Sequence, residues 1–258
     1  MDASARRTRR RGLGAQIVVG LSLLGLVAAF FFVDAGMRGY AERQVKQEIA
    51  SNLPKTVTGD VSVSIGGLSV IWQYLAGSFD RVDLKSSALS VDGVPASVHV
   101  VATDVPLDRS RPVGDVRGIV DLGPAALNTL LSDSLLSGAA DAGLELGQDE
   151  VSYTGSIDLL GFPIDYRATA SPTVDAGSVL LRPTGARITS GAGGFDVGDL
   201  LSQVMGEKPV RICVASYLPD GVTLSGVTVT PERARLTLQS SSLTLNRASL
   251  TTLGSCAG

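Results

Sequence analysis

The chain predicts an α+β domain behind one membrane-spanning helix, with long antiparallel strands in a curved sheet that wraps one or two helices. Three observations carry this. Gly14 to Val33 is an unbroken apolar run. Apolar and polar residues alternate in twos through most of the chain after Asn52. Short helical patterns recur ahead of groups of strands.

The run GAQIVVGLSLLGLVAAFFFV holds 20 residues with no charge and no proline, and only Gln16 and Ser22 are polar. At about 1.5 Å per residue such a helix reaches roughly 30 Å, the thickness of a bilayer's hydrocarbon core. Arg6, Arg7, Arg9, Arg10 and Arg11 precede it, and few, mixed charges come after it. That bias holds the N-terminus in the cytoplasm and sends the remainder across the membrane, to the periplasmic side. The expected organisation is therefore a basic cytoplasmic N-terminus (1–13), a signal anchor (14–33), an extracytoplasmic domain (36–245) and a tail (246–258). A cleaved signal peptide is the alternative, since Val33-Asp34-Ala35 loosely matches a small-x-small site. Signal peptides carry apolar cores of about 7–15 residues, which favours the uncut anchor.

The net charge of −3 divides into +4 for residues 1–13 and −7 for the rest. A domain that acidic is not built to neutralise nucleic-acid phosphates or to bind anionic headgroups through a polybasic surface. Aromatics are scarce, at 5%, while Val, Leu, Ser, Thr and Gly abound, as β-rich chains with many turns require. Cys213 and Cys256 are the only cysteines. Outside the cytoplasm a disulfide is the expected state, closing a loop that the chain-entropy model values at roughly 4 kcal/mol. Two buried free thiols are the alternative.

In order, Met37, Ala41, Val45 and Ile49 recur every four residues, an amphipathic helix over 36–52 whose apolar stripe is expected against a sheet. Val61, Val63 and Ile65 alternate as a strand. Leu68 to Leu75 reads as one or two helical turns ending at Gly77. Strands run from Phe79 to Val91 and from Val94 to Val105 around an Asp92-Gly93 hairpin turn. A polar loop (108–115) and a strand (116–122) lead to a helix that Pro124 opens, with Leu127, Leu130, Leu131 and Leu135 on one face. Val151 to Leu159 and Phe162 to Ala168 form the clearest hairpin. A strand over 178–182, a glycine-rich loop (191–194), a helix over 195–205 and a strand over 210–215 come next. Val222 to Val229 and Leu236, Leu238, Leu243 and Leu245 complete the sheet.

Chemistry leaves little trace. His99 is the single histidine, flanked by Val98 and Val100, and no G-x-S-x-G elbow accompanies it. An outward-facing strand residue is the expectation, with no catalytic residue assigned. One histidine and two distant cysteines make no metal site, and residues 191–194 lack the pattern of a phosphate-binding or dinucleotide loop. No cofactor is implied. Apolar surface remains. Trp72, Tyr74, Leu75 and Phe79 cluster beside glycines, Leu127 and Leu131 lie on the second helix, and Phe162, Ile164 and Tyr166 supply another aromatic-aliphatic face. Each can be ordinary core; as a set they are the candidate lipid-lining residues.

Three segments, DVSVSIGG (60–67), LAGSFDRVDL (75–84) and YLPDGVTLSGVTVTPERARLTL (217–238), together with the N-terminal anchor and following helix, resemble the LmeA-like phospholipid-binding proteins of actinobacterial envelopes. The similarity spans most of 36–245. It implies a tubular lipid-binding-like fold, a curved antiparallel sheet around a long helix with a hydrophobic groove. It also implies binding of phospholipid or phosphatidylinositol-type glycolipid and a part in cell-envelope lipid or lipoglycan assembly, with an envelope-assembly protein as a further partner. The cysteine pair and the serine-rich tail have no match in that pattern. Two other functions stay open: a scaffolding module docking an envelope membrane protein through the same surfaces, and a lipid hydrolase relying on His99 or one acid.

Overall fold

A computed structural model describes residues 7–52, 57–134, 143–159, 162–189 and 209–256. The architecture is α+β, with antiparallel sheets, a long N-terminal apolar helix and a few short helices. The helix expected over 195–205 and the glycine loop at 191–194 lie outside the described residues.

Helix α1 runs without interruption from Arg7 to Asn52. The apolar run and the amphipathic segment, expected as separate units, are thus one rod, because no proline stands between them and Gly36 and Gly39 leave the hydrogen-bond ladder intact. The first sheet contains β1 (Val57–Thr58), β2 (Ser62–Ile65), β3 (Ser78–Val91), β4 (Val94–Pro106), β5 (Asp115–Leu122), β11 (Thr223–Thr230) and β12 (Arg233–Ser240). It is curled like a half-barrel, in the order β1-β3-β4-β5-β12-β11, with β2 also on the outer edge of β3. β1 and β2 are two pieces of one interrupted edge. Gly59 at φ +135° separates them, where an added Cβ would strike the Ala88 carbonyl. Opposite that break β3 has a bulge between Ser86 and Leu89, the kind of irregularity that bends a sheet.

The second sheet, β10-β9-β8-β7-β6, contains β6 (Gly143–Leu146), β7 (Val151–Leu159), β8 (Phe162–Asp175), β9 (Ser178–Ile188) and β10 (Val210–Cys213). β8 packs on β11 of the first sheet, and the Asp149 amide donates to the Val229 carbonyl at 3.0 Å. The described residues also contain three short α-helices, α2 (Val70–Ala76), α3 (Pro124–Ser134) and α4 (Arg247–Thr251). The Asp92-Gly93 turn has φ of +51° and +84°, the mirror-image hairpin turn that the dipeptide predicts.

One expectation is corrected. Leu243 and Leu245 do not continue a strand: β12 stops at Ser240 and the chain crosses over to bridge Thr244 to Pro112. Leu243 then closes a core with Val105, Val113 and Val116, against which Phe79, Val82, Val100, Ala102 and Leu245 pack. The tail, described to Cys256, is tied to the body by the expected disulfide. Asn246 caps α4 by accepting from the Ser249 amide, Leu253 bridges to Pro219, and Cys256 is disulfide-bonded to Cys213.

Candidate functional site

Strand register converts the two-residue alternation into a continuous apolar face on the curled sheet. One ladder crosses the sheet as Val63, Leu84, Val100, Gly118, Leu238 and Leu224; its neighbour runs Val98, Val120, Leu236 and Val227. Paired residues of an antiparallel ladder share a face, so these side chains form one aliphatic surface. At the Leu243 end the surface is plugged. Across the middle, Leu84, Val98, Val100, Val120, Leu236 and Leu238 are only half-buried. Gly118 lowers the floor there: an added Cβ would sit 3.3 Å from that of Leu238.

The opposite face is ionic. Asp121 accepts from Arg235 Nε at 2.7 Å and Nη2 at 2.9 Å, and the Arg235 guanidinium holds its carboxyl below the usual carboxylate range. Asp83 is held low in the same way by Arg81, and His99 Nε2 approaches it at 3.5 Å. His99 is therefore the outward strand residue its context predicts. A polar recess of about 280 Å³, lined by Asp220, Ser242, Thr244, Ser249 and Thr252, is unsuited to an acyl chain. Among the described residues no group of three or more His, Cys, Asp or Glu could hold a metal ion.

The second sheet repeats the pattern. Leu144, Tyr153, Ala168 and Ala186, and beside them Ile164, Tyr166 and Ile188, fall on one face. Tyr153 and Tyr166 meet with ring centroids 6.0 Å apart over Gly155, where a Cβ would lie 2.9 Å from the Tyr153 ring. Burial, then the neighbouring Tyr153, push the Tyr166 hydroxyl pKa up. Helix α3 packs on β4 of the first sheet and β6 of the second, and its Leu127 is half-buried. Asn128 fixes that seat as a strand would, accepting from the Leu144 amide at 2.8 Å and donating to its carbonyl at 3.2 Å. Leu131 and Phe162 lie on α3 and β8, with side chains outside the described residues.

The aromatic cluster expected at 72–79 divides. Phe79 joins the closed core, whereas Trp72, Tyr74 and Leu75 stand out on α2 at 72%, 65% and 74% exposure. Helix α2 is clasped to α1 by a polar stripe at four-residue spacing. Buried Asp34 accepts from Ser69 Oγ at 2.7 Å and the Ile71 amide at 3.0 Å, and Arg38 donates to the Gly67 carbonyl at 2.8 Å. Glu42 accepts from the Ile65 amide at 2.8 Å and Lys46 pairs with Asp60 at 2.7 Å. The apolar stripe expected to face the sheet is thus displaced. Ala41 and Val45 are half-buried, but Met37 is exposed, because edge strand β2 and the first turn of α2 offer backbone groups that only polar side chains satisfy. Missed in the sequence were this stripe, whose Asp34-Arg38-Glu42-Lys46 spacing was legible, and the aliphatic ladder, whose alternation was legible but whose incomplete cover was not.

Among the described residues the antiparallel α+β fold joins an apolar helix to a sheet whose aliphatic face is only half-buried, an arrangement compatible with a lipid-binding class of protein. The chain belongs to the LmeA-like phospholipid-binding family, whose model matches residues 32–239. No curated protein and no solved structure matches it.

Proposed function

We propose that the protein is a membrane-anchored, extracytoplasmic carrier or holder of phospholipid or phosphatidylinositol-type glycolipid, acting in cell-envelope lipid or lipoglycan assembly. The observation that carries this is the half-buried ladder of the curled sheet, within the span matched by the phospholipid-binding family. Each acyl methylene transferred onto such a face contributes about 0.8 kcal/mol. A chain lying across Leu84, Val100, Leu238 and Leu236 gains the cover those residues lack. Trp72, Tyr74 and Leu75 offer it an apolar approach, and Leu127, Ile164 and Tyr166 extend the surface toward the second sheet.

Anchoring is supported by α1. Leu24, Leu26, Val27, Phe30, Phe31, Phe32 and Val33 all stand exposed with no protein cover, so they need an apolar solvent. A candidate span by length and composition falls over Leu24–Gln47. We place the hydrocarbon segment earlier, at 14–33, because Asp34 onward is engaged with the folded domain. The Cys213–Cys256 bridge fits an oxidising compartment. The role is binding, not turnover: His99 lies on the ionic face, away from the ladder.

The test is mass spectrometry of the chain purified without added lipid, then after incubation with phospholipid vesicles. Lipid in fixed ratio to protein supports the reading. A bare mass in both cases, with an envelope protein trapped by crosslinking, moves the assignment to the scaffolding module. Trp72→Asp is expected to strip co-purifying lipid while leaving the fold intact, and unchanged lipid content removes Trp72 from the site.

A further inference from the structure

Helix α2 is inside out. Its buried positions are Val70 and the polar Gln73, 3% exposed, whose Nε2 donates to the Gly66 carbonyl at 3.0 Å and whose Oε1 accepts from the Asp80 amide at 2.8 Å. Its outward positions are apolar: Leu68 just before it at 90% exposure, with Trp72 and Leu75. From Val61 to Phe79 the sequence carries no charge. Such a segment wants an apolar partner outside the fold.

The partner is set by where α2 is held. Asp34, the first residue after the apolar run, accepts the Ser69 hydroxyl and the Ile71 amide, and Arg38 one turn on grips the Gly67 carbonyl. The clasp ties the first turn of α2 to the point where α1 leaves the bilayer. Met37 and Tyr40 of α1, 48% and 60% exposed, stand roughly 5 and 9 Å beyond Asp34 along the helix. That is the depth of the headgroup layer, where Trp and Tyr concentrate.

We propose that α2 is an interfacial foot: Leu68, Trp72 and Leu75 sit in the phospholipid headgroup boundary of the leaflet that α1 leaves, and the clasp fixes the domain's orientation on that surface. The inference rests on the reading of α1 as a membrane anchor. It makes the domain a rigid fixture instead of a body on a free tether, and it places the exposed Leu68, Trp72 and Leu75 face against the lipids the protein would collect.

Trp72 is the only tryptophan in the chain, so its fluorescence reports the foot directly. The full chain is reconstituted into phosphatidylcholine vesicles and floated on a density gradient. Emission is then read with aqueous iodide and with phosphatidylcholines brominated near either end of the acyl chain. Expected are co-flotation, blue-shifted emission, weak iodide quenching, and stronger quenching by bromine near the glycerol end than near the methyl end. Asp34→Ala, which spares the apolar run and the sheet ladder, is expected to shift emission to the red and raise iodide quenching. A chain that does not float removes the anchor reading and the foot with it. A floating chain whose Trp72 is open to iodide overturns the foot alone. So does dominant quenching from the methyl end, which would place Trp72 against the tails of a held lipid. Unchanged emission in Asp34→Ala overturns the clasp's part.

Discussion

The two ends of the curled sheet's apolar face begin from the same alternating pattern and finish differently. At one end Val105, Val113, Val116 and Leu243 are at most 9% exposed, because the crossing segments around Pro112 and Thr244 lie over the strands. In the middle Leu84, Val120, Leu236 and Leu238 have equivalent neighbours in the sheet but stay half-buried. Sheet pairing creates both surfaces. Only what crosses above decides which is closed core and which stays half-buried.

That contrast can be broken first at the disulfide. Cys213–Cys256 ties the segment following Leu243 to the second sheet. Cys256→Ser is expected to lower unfolding free energy by about 4 kcal/mol on the chain-entropy account. Denaturant titration checks it, and a midpoint equal to that of the intact protein would show the closed end holds without the staple. Next, Leu243→Ala in the closed end should cost about 3 kcal/mol through its cavity while leaving lipid content unchanged. Leu238→Asp in the open middle should do the reverse. Losing contact with a few methylenes at about 0.8 kcal/mol each lowers lipid retention roughly a hundredfold, with a smaller drop in melting temperature than Leu243→Ala. If the two variants lose stability and lipid in parallel, the distinction between the ends fails.

The smallest effect lies on the ionic face. Asp121's carboxyl is held below its unfolded value, so its pairing stabilises the fold above the ordinary carboxylate range and is lost as pH falls through the depressed folded value. Arg235→Gln should therefore cost about 1 kcal/mol at neutral pH and flatten the acid limb of the stability curve below about pH 4. An acid limb identical to the parent's would assign the pH dependence elsewhere. Lipid content should not move, since this pair lies on the sheet's other side.

Much of this was legible in residues alone. Asp92-Gly93, Gly77 and Pro124 punctuate the chain where their backbone preferences demand, and the alternation from Val61 to Val105 names the strands. Short β6 was not seen, since four residues carry too little periodicity. The candidate site was legible only in part. Aromatic clusters draw the eye, yet Phe79 went to the core while Trp72 stayed outside. The aliphatic ladder, spread over strands far apart in sequence, became one surface only through register.

By itself, then, the sequence determined the apolar N-terminal helix and the antiparallel class, pointed to the family, and made a disulfide the expected state of its two cysteines, because each rests on local pattern or on composition. The tertiary structure alone decided that the helix is one rod clasped through Asp34, Arg38, Glu42 and Lys46, and that Leu243 leaves the sheet to plug one end. It also decided that the middle of the apolar face stays partly uncovered. Those outcomes depend on which segments cross which strands, and periodicity tells a residue which way to face but not what it will meet.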